Sequence, residues 1–258
     1  MLTVTPVRAF TDNYLWLIQG LADPSRAAVV DPGDAGAILA ALEISGQTLE
    51  AILITHHHGD HVGGVTELVK RTGARVFAPA RERAPAECTP VSGGDTVELA
   101  DLGLKFRVLD VPGHTAGHIA YFGHGAVFCG DALFSVGCGR LFEGTAEQML
   151  ASLDSLAALP DDTRVFCAHE YTLSNLRFAR TVDPDNADLR AWQDEAEALR
   201  EQDIPTVPTT IGREKQVNPF LRSRSPAVKR AAEAHAGAVL GSPLAVFAEI
   251  RRWKDGFQ

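Results

Sequence analysis

With 258 residues and 45% apolar content, the chain can build one large core or two unequal ones. It has no run of about 18 apolar residues that would span a membrane, and a net charge of -9 argues against nucleic acid as a partner. Its four cysteines are scattered without a CxxC pair, which excludes a disulfide framework and reads as reduced thiols.

The predicted elements change character near residue 170. Residues 15–18, 27–30 and 51–54 are short apolar runs between Gly/Pro/Asp turns and read as strands. Helices are expected over 35–42 and 61–71. Further strands fall at 104–109, 126–129 and 164–168. Thr145 with Gln148 three residues on has capping-box spacing and opens a helix over 146–159. After Tyr171 the strand pattern stops. Helices are expected at 173–180, 187–202, 227–236 and 244–253, with a loop marked by Pro205 and Pro208. Pro226 and Pro243 suit first helical positions, each behind a capping serine, Ser225 or Ser242. The expectation is an α/β domain over residues 1–170, then a small all-helical domain over 171–258. Net charge follows the same division, -10 before residue 171 and +1 after it. A cationic grip on an anionic substrate is therefore expected in the second part.

The chemistry concentrates where strands end. Thr55-His56-His57-His58-Gly59-Asp60-His61 places four imidazoles and a carboxylate directly after an apolar run. Neutral imidazole is a common ligand for zinc and iron, and carboxylate adds a harder donor. His56, His58, Asp60 and His61 are candidate ligands; His57 reads as a loop residue. His114 follows strand 104–109, Asp131 follows 126–129, and His169 follows 164–168. Sites in layered α/β folds gather where strand carboxyl ends open into loops. Seven donors are too many for one tetrahedral zinc. They are the right number for two metals sharing a carboxylate. A solubilising His-rich loop is the plainer alternative, and the flanking strand and helix patterns speak against it. His118 reads as a hydrogen-bonding neighbour of the ligands, His124 and His235 as surface residues, and Cys129 and Cys167 as small core residues. Glu143 and Glu170 read as structural. Gly63-Gly64 reads as a point of close packing rather than an anion cradle.

T-H-H-H-x-D-H, followed by P-G-H-T-x-G-H, G-D-x-L-F and C-x-H-E-Y-T, resembles the metallo-β-lactamase superfamily. Asp12-Asn13-Tyr14, Val30-Asp31-Pro32-Gly33, Cys138-Gly139-Arg140-Leu141-Phe142-Glu143-Gly144, Asn218-Pro219-Phe220-Leu221-Arg222 and Arg251-Arg252-Trp253-Lys254-Asp255 are similar to its glyoxalase II (hydroxyacylglutathione hydrolase) branch. The resemblance implies an αββα sandwich followed by a small helical domain. It implies two divalent metals per chain, zinc first, with iron or manganese as alternatives. The ligand sets would be His56, His58 and His114, then Asp60, His61 and His169, with Asp131 bridging. Asp60 would also orient the nucleophile and be the catalytic residue, and Asp31 would accept a hydrogen bond from a ligand histidine. Arg140, Tyr171, Arg251 and Lys254 would surround a glutathione moiety. Phe142 stands where some members carry tyrosine, so one hydroxyl contact is lost or replaced.

The implied activity is hydrolysis of S-2-hydroxyacylglutathione to glutathione and a 2-hydroxy acid, the second step of methylglyoxal detoxification. The expected partner is a small glutathione thioester, with no nucleic acid, no membrane and a monomeric state. The first eight residues lack the features of a secretory signal, so a cytoplasmic location is expected. A single-iron persulfide dioxygenase is disfavoured by the full donor set and the helical tail. A nuclease is disfavoured by the acidic balance, and a β-lactamase by the missing signal. A non-catalytic scaffold is disfavoured because every ligand position is filled.

Overall fold

The computed structural model describes residues 2–257. The chain opens with β1 (Val4–Ala9), β2 (Asn13–Gln19) and β3 (Arg26–Val30), then α1 (Ala35–Ser45) and β4 (Thr48–Leu53). A short α2 (Gly59–Val62), α3 (Val65–Thr72), β5 (Arg75–Pro79) and β6 (Thr89–Val91) follow. Next come β7 (Thr96–Leu99), β8 (Leu104–Asp110), β9 (Ile119–Gly123), β10 (Ala126–Gly130), β11 (Leu133–Phe134) and β12 (Gly137–Cys138). The remainder is α4 (Ala146–Ala157), β13 (Arg164–Cys167), α5 (Thr172–Val182), α6 (Ala187–Glu201), β14 (Thr209–Thr210), α7 (Ile211–Val217), α8 (Pro226–Ala236) and α9 (Pro243–Gly256).

These elements form two compact units. The first takes the chain up to Asp110 with Thr115–Gly130 and Phe166–His169; the second takes Val111–His114, Asp131–Val165 and the chain from Glu170 onward.

In the first unit β1 to β6 form one sheet in chain order. β1, β2 and β3 are antiparallel neighbours, while β3, β4, β5 and β6 run parallel. β7, β8, β9 and β10 make an antiparallel meander in a second sheet. Strand alternation sends Leu15 and Leu17 to a core shared with Ile38 and Leu42 of α1 and Leu68 of α3. Trp16 goes to the opposite face and meets Phe166 edge-on at 5.0 Å, and Phe166 stacks on Phe128 at 4.9 Å. Each fully buried side chain of this size contributes roughly 1.5–3 kcal/mol. The Tyr121 hydroxyl on β9 donates to the carbonyls of Ile54 and Phe77, at 3.0 and 3.2 Å, and so pins the second sheet to the first. Because both faces of β2, β3 and β4 are covered, these strands read as continuous apolar runs.

The second unit packs Leu176 and Ala179 of α5 on Leu189, Trp192 and Ala196 of α6, with Val217 of α7 and Val136. The β11–β12 turn is tied into these helices. Val136 has φ 59, a conformation unfavourable for a β-branched residue, and its N–H donates to the Glu214 carboxylate at 2.8 Å. Asn218 Nδ2 donates to the carbonyls of Phe134 and Gly137, and Trp192 Nε1 donates to Ser135 Oγ. These bonds group Asp131–Val165 with the helices, whereas a division by element type alone falls at residue 170.

Helix ends follow the local sequence closely. The Thr145–Gln148 capping box forms, and Ser242 accepts from Ala245 N at 3.1 Å. Ser225 makes no side-chain cap bond, although Pro226 does open α8. The single helix expected over 61–71 is two helices. A Cβ on Gly63 would lie 2.7 Å from Gly33 O, and one on Gly64 2.6 Å from Pro32 O, so close packing interrupts it there. β1 escaped prediction because it is a largely exposed edge strand interrupted by Pro6. α7 escaped because it has seven residues and contains Gly212.

Candidate active site

In the first unit, five of the seven expected donors follow the ends of β4 and β13. Asp31, directly after β3, organises the β4 loop. Its carboxylate accepts from Thr55 N and Thr55 Oγ1, both at 2.7 Å, and lies 3.1 Å from His61 Nδ1. Its backbone sits at φ 50, a left-handed conformation that aspartate tolerates better than most residues. Asp12 does the same for His169, with Oδ1 2.8 Å from its Nδ1. A carboxylate on Nδ1 holds the proton there and leaves Nε2 with a lone pair for a metal. Both Nε2 atoms lie 3.5 Å from Asp60 Oδ2, which also accepts from Asn13 Nδ2 at 3.0 Å. Asp60, His61 and His169 thus bring three donors within reach of one ion. His56 Nε2 and His58 Nδ1 approach to 3.1 Å.

Gly130 closes the floor of this cluster. Its φ is 48, and a Cβ there would lie 2.3 Å from Thr55 Oγ1. His118 stacks on His56 with centroids 4.5 Å apart and bonds the Ile119 carbonyl through Nδ1 at 3.0 Å. His57 Nδ1 lies 2.9 Å from Glu82, and its ring packs edge-on against His58 at 5.1 Å. His124 is exposed. None of the four cysteines is in a disulfide, and Cys129 and Cys167 are buried.

The second unit holds the remaining donors and all four expected substrate contacts in a single cavity of about 440 Å³. His114 Nε2 is 3.4 Å from Asp131 Oδ2, and His114 Nδ1 is 2.9 Å from the Arg140 carbonyl. The lining includes Arg140, Tyr171, Arg251 and Lys254 beside this pair. Phe142, 63% exposed, stands with its ring 5.2 Å from that of His114.

Two of the cations differ sharply. Arg251 is only 5% exposed; it donates to Cys138 O at 2.8 Å and to Asp255 at 3.0 Å, so it braces β12 instead of ending a solvated helix. Lys254 donates to Ser174 O at 3.3 Å. Burial, then the positive charges of Arg251, Arg177 and Arg140, pull its ammonium down to about 8. Burial first and the neighbouring guanidinium groups second disfavour the charged form, so the surroundings of Lys254 are electropositive.

Glu170 accepts from Thr206 N at 3.0 Å and is structural, as expected. His235 is exposed but engaged, 2.6 Å from Glu249 and stacked on Trp253. Sequence reasoning left Asp12, Asn13, Glu82 and Glu214 without roles. Asp12-Asn13 carried a signal as a motif, but its partner His169 lies 157 residues away.

Residues 10–169 match the family model of the metallo-beta-lactamase superfamily, and residues 170–257 match that of the hydroxyacylglutathione hydrolase C-terminus. A hydroxyacylglutathione hydrolase of Nitrosomonas eutropha is 53% identical over 260 residues, spanning all of both chains. The chain belongs to the hydroxyacylglutathione hydrolase family. A second hydroxyacylglutathione hydrolase, from Alkalilimnicola ehrlichii, is 56% identical over 257 residues and 99% of each chain. Among solved structures, ETHE1 from Myxococcus xanthus aligns with TM-score 0.66 and 26% identity, covering 98% of each chain. TTHA1623 in a di-iron-bound form aligns with TM-score 0.61 and 28% identity, covering 84% of this chain and all of that one. The fold is that of a metallo-β-lactamase with the helical C-terminal region of hydroxyacylglutathione hydrolases. The His/Asp clusters are the divalent metal site of a metal-dependent hydrolase.

Proposed function

We propose that the chain hydrolyses the thioester of S-2-hydroxyacylglutathione, S-D-lactoylglutathione above all, to glutathione and the 2-hydroxy acid. The observation that carries this reading is the cavity in which two metal donors share walls with a cluster of cations. Glutathione is an anionic tripeptide, and a thioester on its sulfur must reach metal while its carboxylates meet positive charge.

In this reading two divalent ions would be held, one by His56, His58 and His114, the other by Asp60, His61 and His169, with Asp131 available to both. Zinc is the first choice, with iron or manganese as alternatives. The donor chemistry fits, because carboxylates already occupy Nδ1 of His61 and His169. Bound metals of this kind supply Lewis acidity and bring the pKa of water down to roughly 7. The chain's own residues do the rest. Asp12 and Asp31 fix imidazole direction, and Asn13 holds the Asp60 carboxylate, which aligns the attacking nucleophile. Lys254 and Arg140 bind carboxylate, Arg251 holds the β12 wall and Tyr171 offers its hydroxyl.

Residues 1–170 then act as the catalytic domain and 171–258 as the substrate-binding domain, in a cytoplasmic monomer without nucleic-acid or membrane partners. No described helix is long and apolar enough to cross a membrane. The test is hydrolysis of S-D-lactoylglutathione measured beside a phosphodiester and a β-lactam. Preference for either competitor would overturn the assignment.

A further inference from the structure

We propose that Glu82, in the bend after β5, is a positioning residue that aims His56 and His58 at their metal. The inference rests on the reading of those two histidines as ligands. Glu82's side chain is only 3% exposed, and its carboxylate joins two distant stretches of chain, at His57 and at Thr115–Gly117. Oε2 lies 2.9 Å from His57 Nδ1. Oε1 accepts from Thr115 Oγ1 in a short bond and from Gly117 N at 3.1 Å. A buried carboxylate is costly unless fully hydrogen-bonded, so each partner is held in place as firmly as the carboxylate itself.

The geometry of the ligand loop turns this clamp into aim. His58 is extended, with φ -61 and ψ 146. The His57 ring packs edge-on against His58, centroids 5.1 Å apart, and His58 packs edge-on against His56 at 4.7 Å, where Nε2 of His56 and Nδ1 of His58 lie 3.1 Å apart. Holding His57 at Glu82 therefore fixes the ring that backs His58. Without the clamp, His57 could rotate the loop and separate them. The Thr115–Gly117 bonds keep Glu82 from following His57 into solvent.

Zinc affinity, measured by competition with a chromophoric chelator, reads this role directly. Outer partners of metal ligands are typically worth 10–100-fold in affinity. Glu82→Ala and His57→Ala should each weaken zinc by about that range, and the visible spectrum of the cobalt-substituted protein should change. Glu82→Gln, which can still accept from Thr115 and Gly117 and can donate to His57, should recover most of the affinity. With metal saturating, kcat should fall while KM for the glutathione thioester stays near wild type. His58→Ala is the control for the underlying reading: unchanged zinc affinity there would sink the ligand assignment itself. If His58→Ala weakens zinc while Glu82→Ala and Glu82→Gln bind it as wild type does, the positioning role is overturned even where thermal stability falls. Should Glu82→Ala fail to fold, His57→Ala and Glu82→Gln decide the matter alone.

Discussion

Lys254 should make substrate affinity titrate in a window where most lysines do not. Its ammonium is pulled from 10.5 to about 8 by burial and by Arg251, Arg177 and Arg140. A group with that value is about nine-tenths charged at pH 7 and about one-tenth charged at pH 9. If only the charged form grips a carboxylate, KM for S-D-lactoylglutathione should rise about tenfold over that range. Lys254→Ala should remove the slope. A hydrogen bond to a charged group is worth about 1.5–3 kcal/mol, so the same variant should raise KM at pH 7 by roughly ten- to a hundredfold. Added salt should shrink this difference, since the cavity is open to solvent and screening acts over about 8 Å at physiological ionic strength. The assay is initial-rate hydrolysis from pH 7 to 9 on the glutathione thioester and on a simple acyl thioester lacking the tripeptide. Both depend on the same metals, so the ratio of their KM values isolates the grip. A flat ratio in the wild type, or equal losses on both substrates in Lys254→Ala, would refute the reasoning.

Asp60→Asn should lower kcat by at least about 10–100-fold while changing KM little; a loss confined to KM would move Asp60 to substrate binding. Elemental analysis of replete protein should find two metals per chain, and full activity with one tightly bound metal would end the dinuclear proposal. Glu214 is fully buried, and burial raises its carboxyl from 4.5 to about 7. A raised carboxyl contributes stability that is complete below about pH 4.5 and lost as pH rises through about 7, here about 3 kcal/mol. Glu214→Gln, neutral throughout, should flatten the fall in unfolding free energy expected of the wild type between about pH 4.5 and 7. A parallel decline in both proteins would show that other groups carry it.

The candidate metal donors were legible in the sequence because each stands within a few residues of an apolar strand end. Strand and ligand are local features, read from pattern and residue type alone. The cations of α9 were legible too, but not their division of labour. Arg251 and Lys254 are alike on paper and both line the cavity, but only tertiary packing ties one to Cys138 and Asp255 and leaves the other with a depressed pKa. The partners that aim the site were hidden for a related reason. Asp12 meets His169 across 157 residues, Glu214 meets Val136 across 78, and Glu82 meets His57 across 25. A carboxylate's partner is chosen by where the folded backbone brings it, and no periodicity encodes that distance. Residue chemistry and strand pattern by themselves pointed to the candidate donors and to the strands and helices that carry them. Packing decided which nitrogen of each histidine faces inward and which cation stays available to substrate, because both depend on contacts that exist only once the chain has closed on itself.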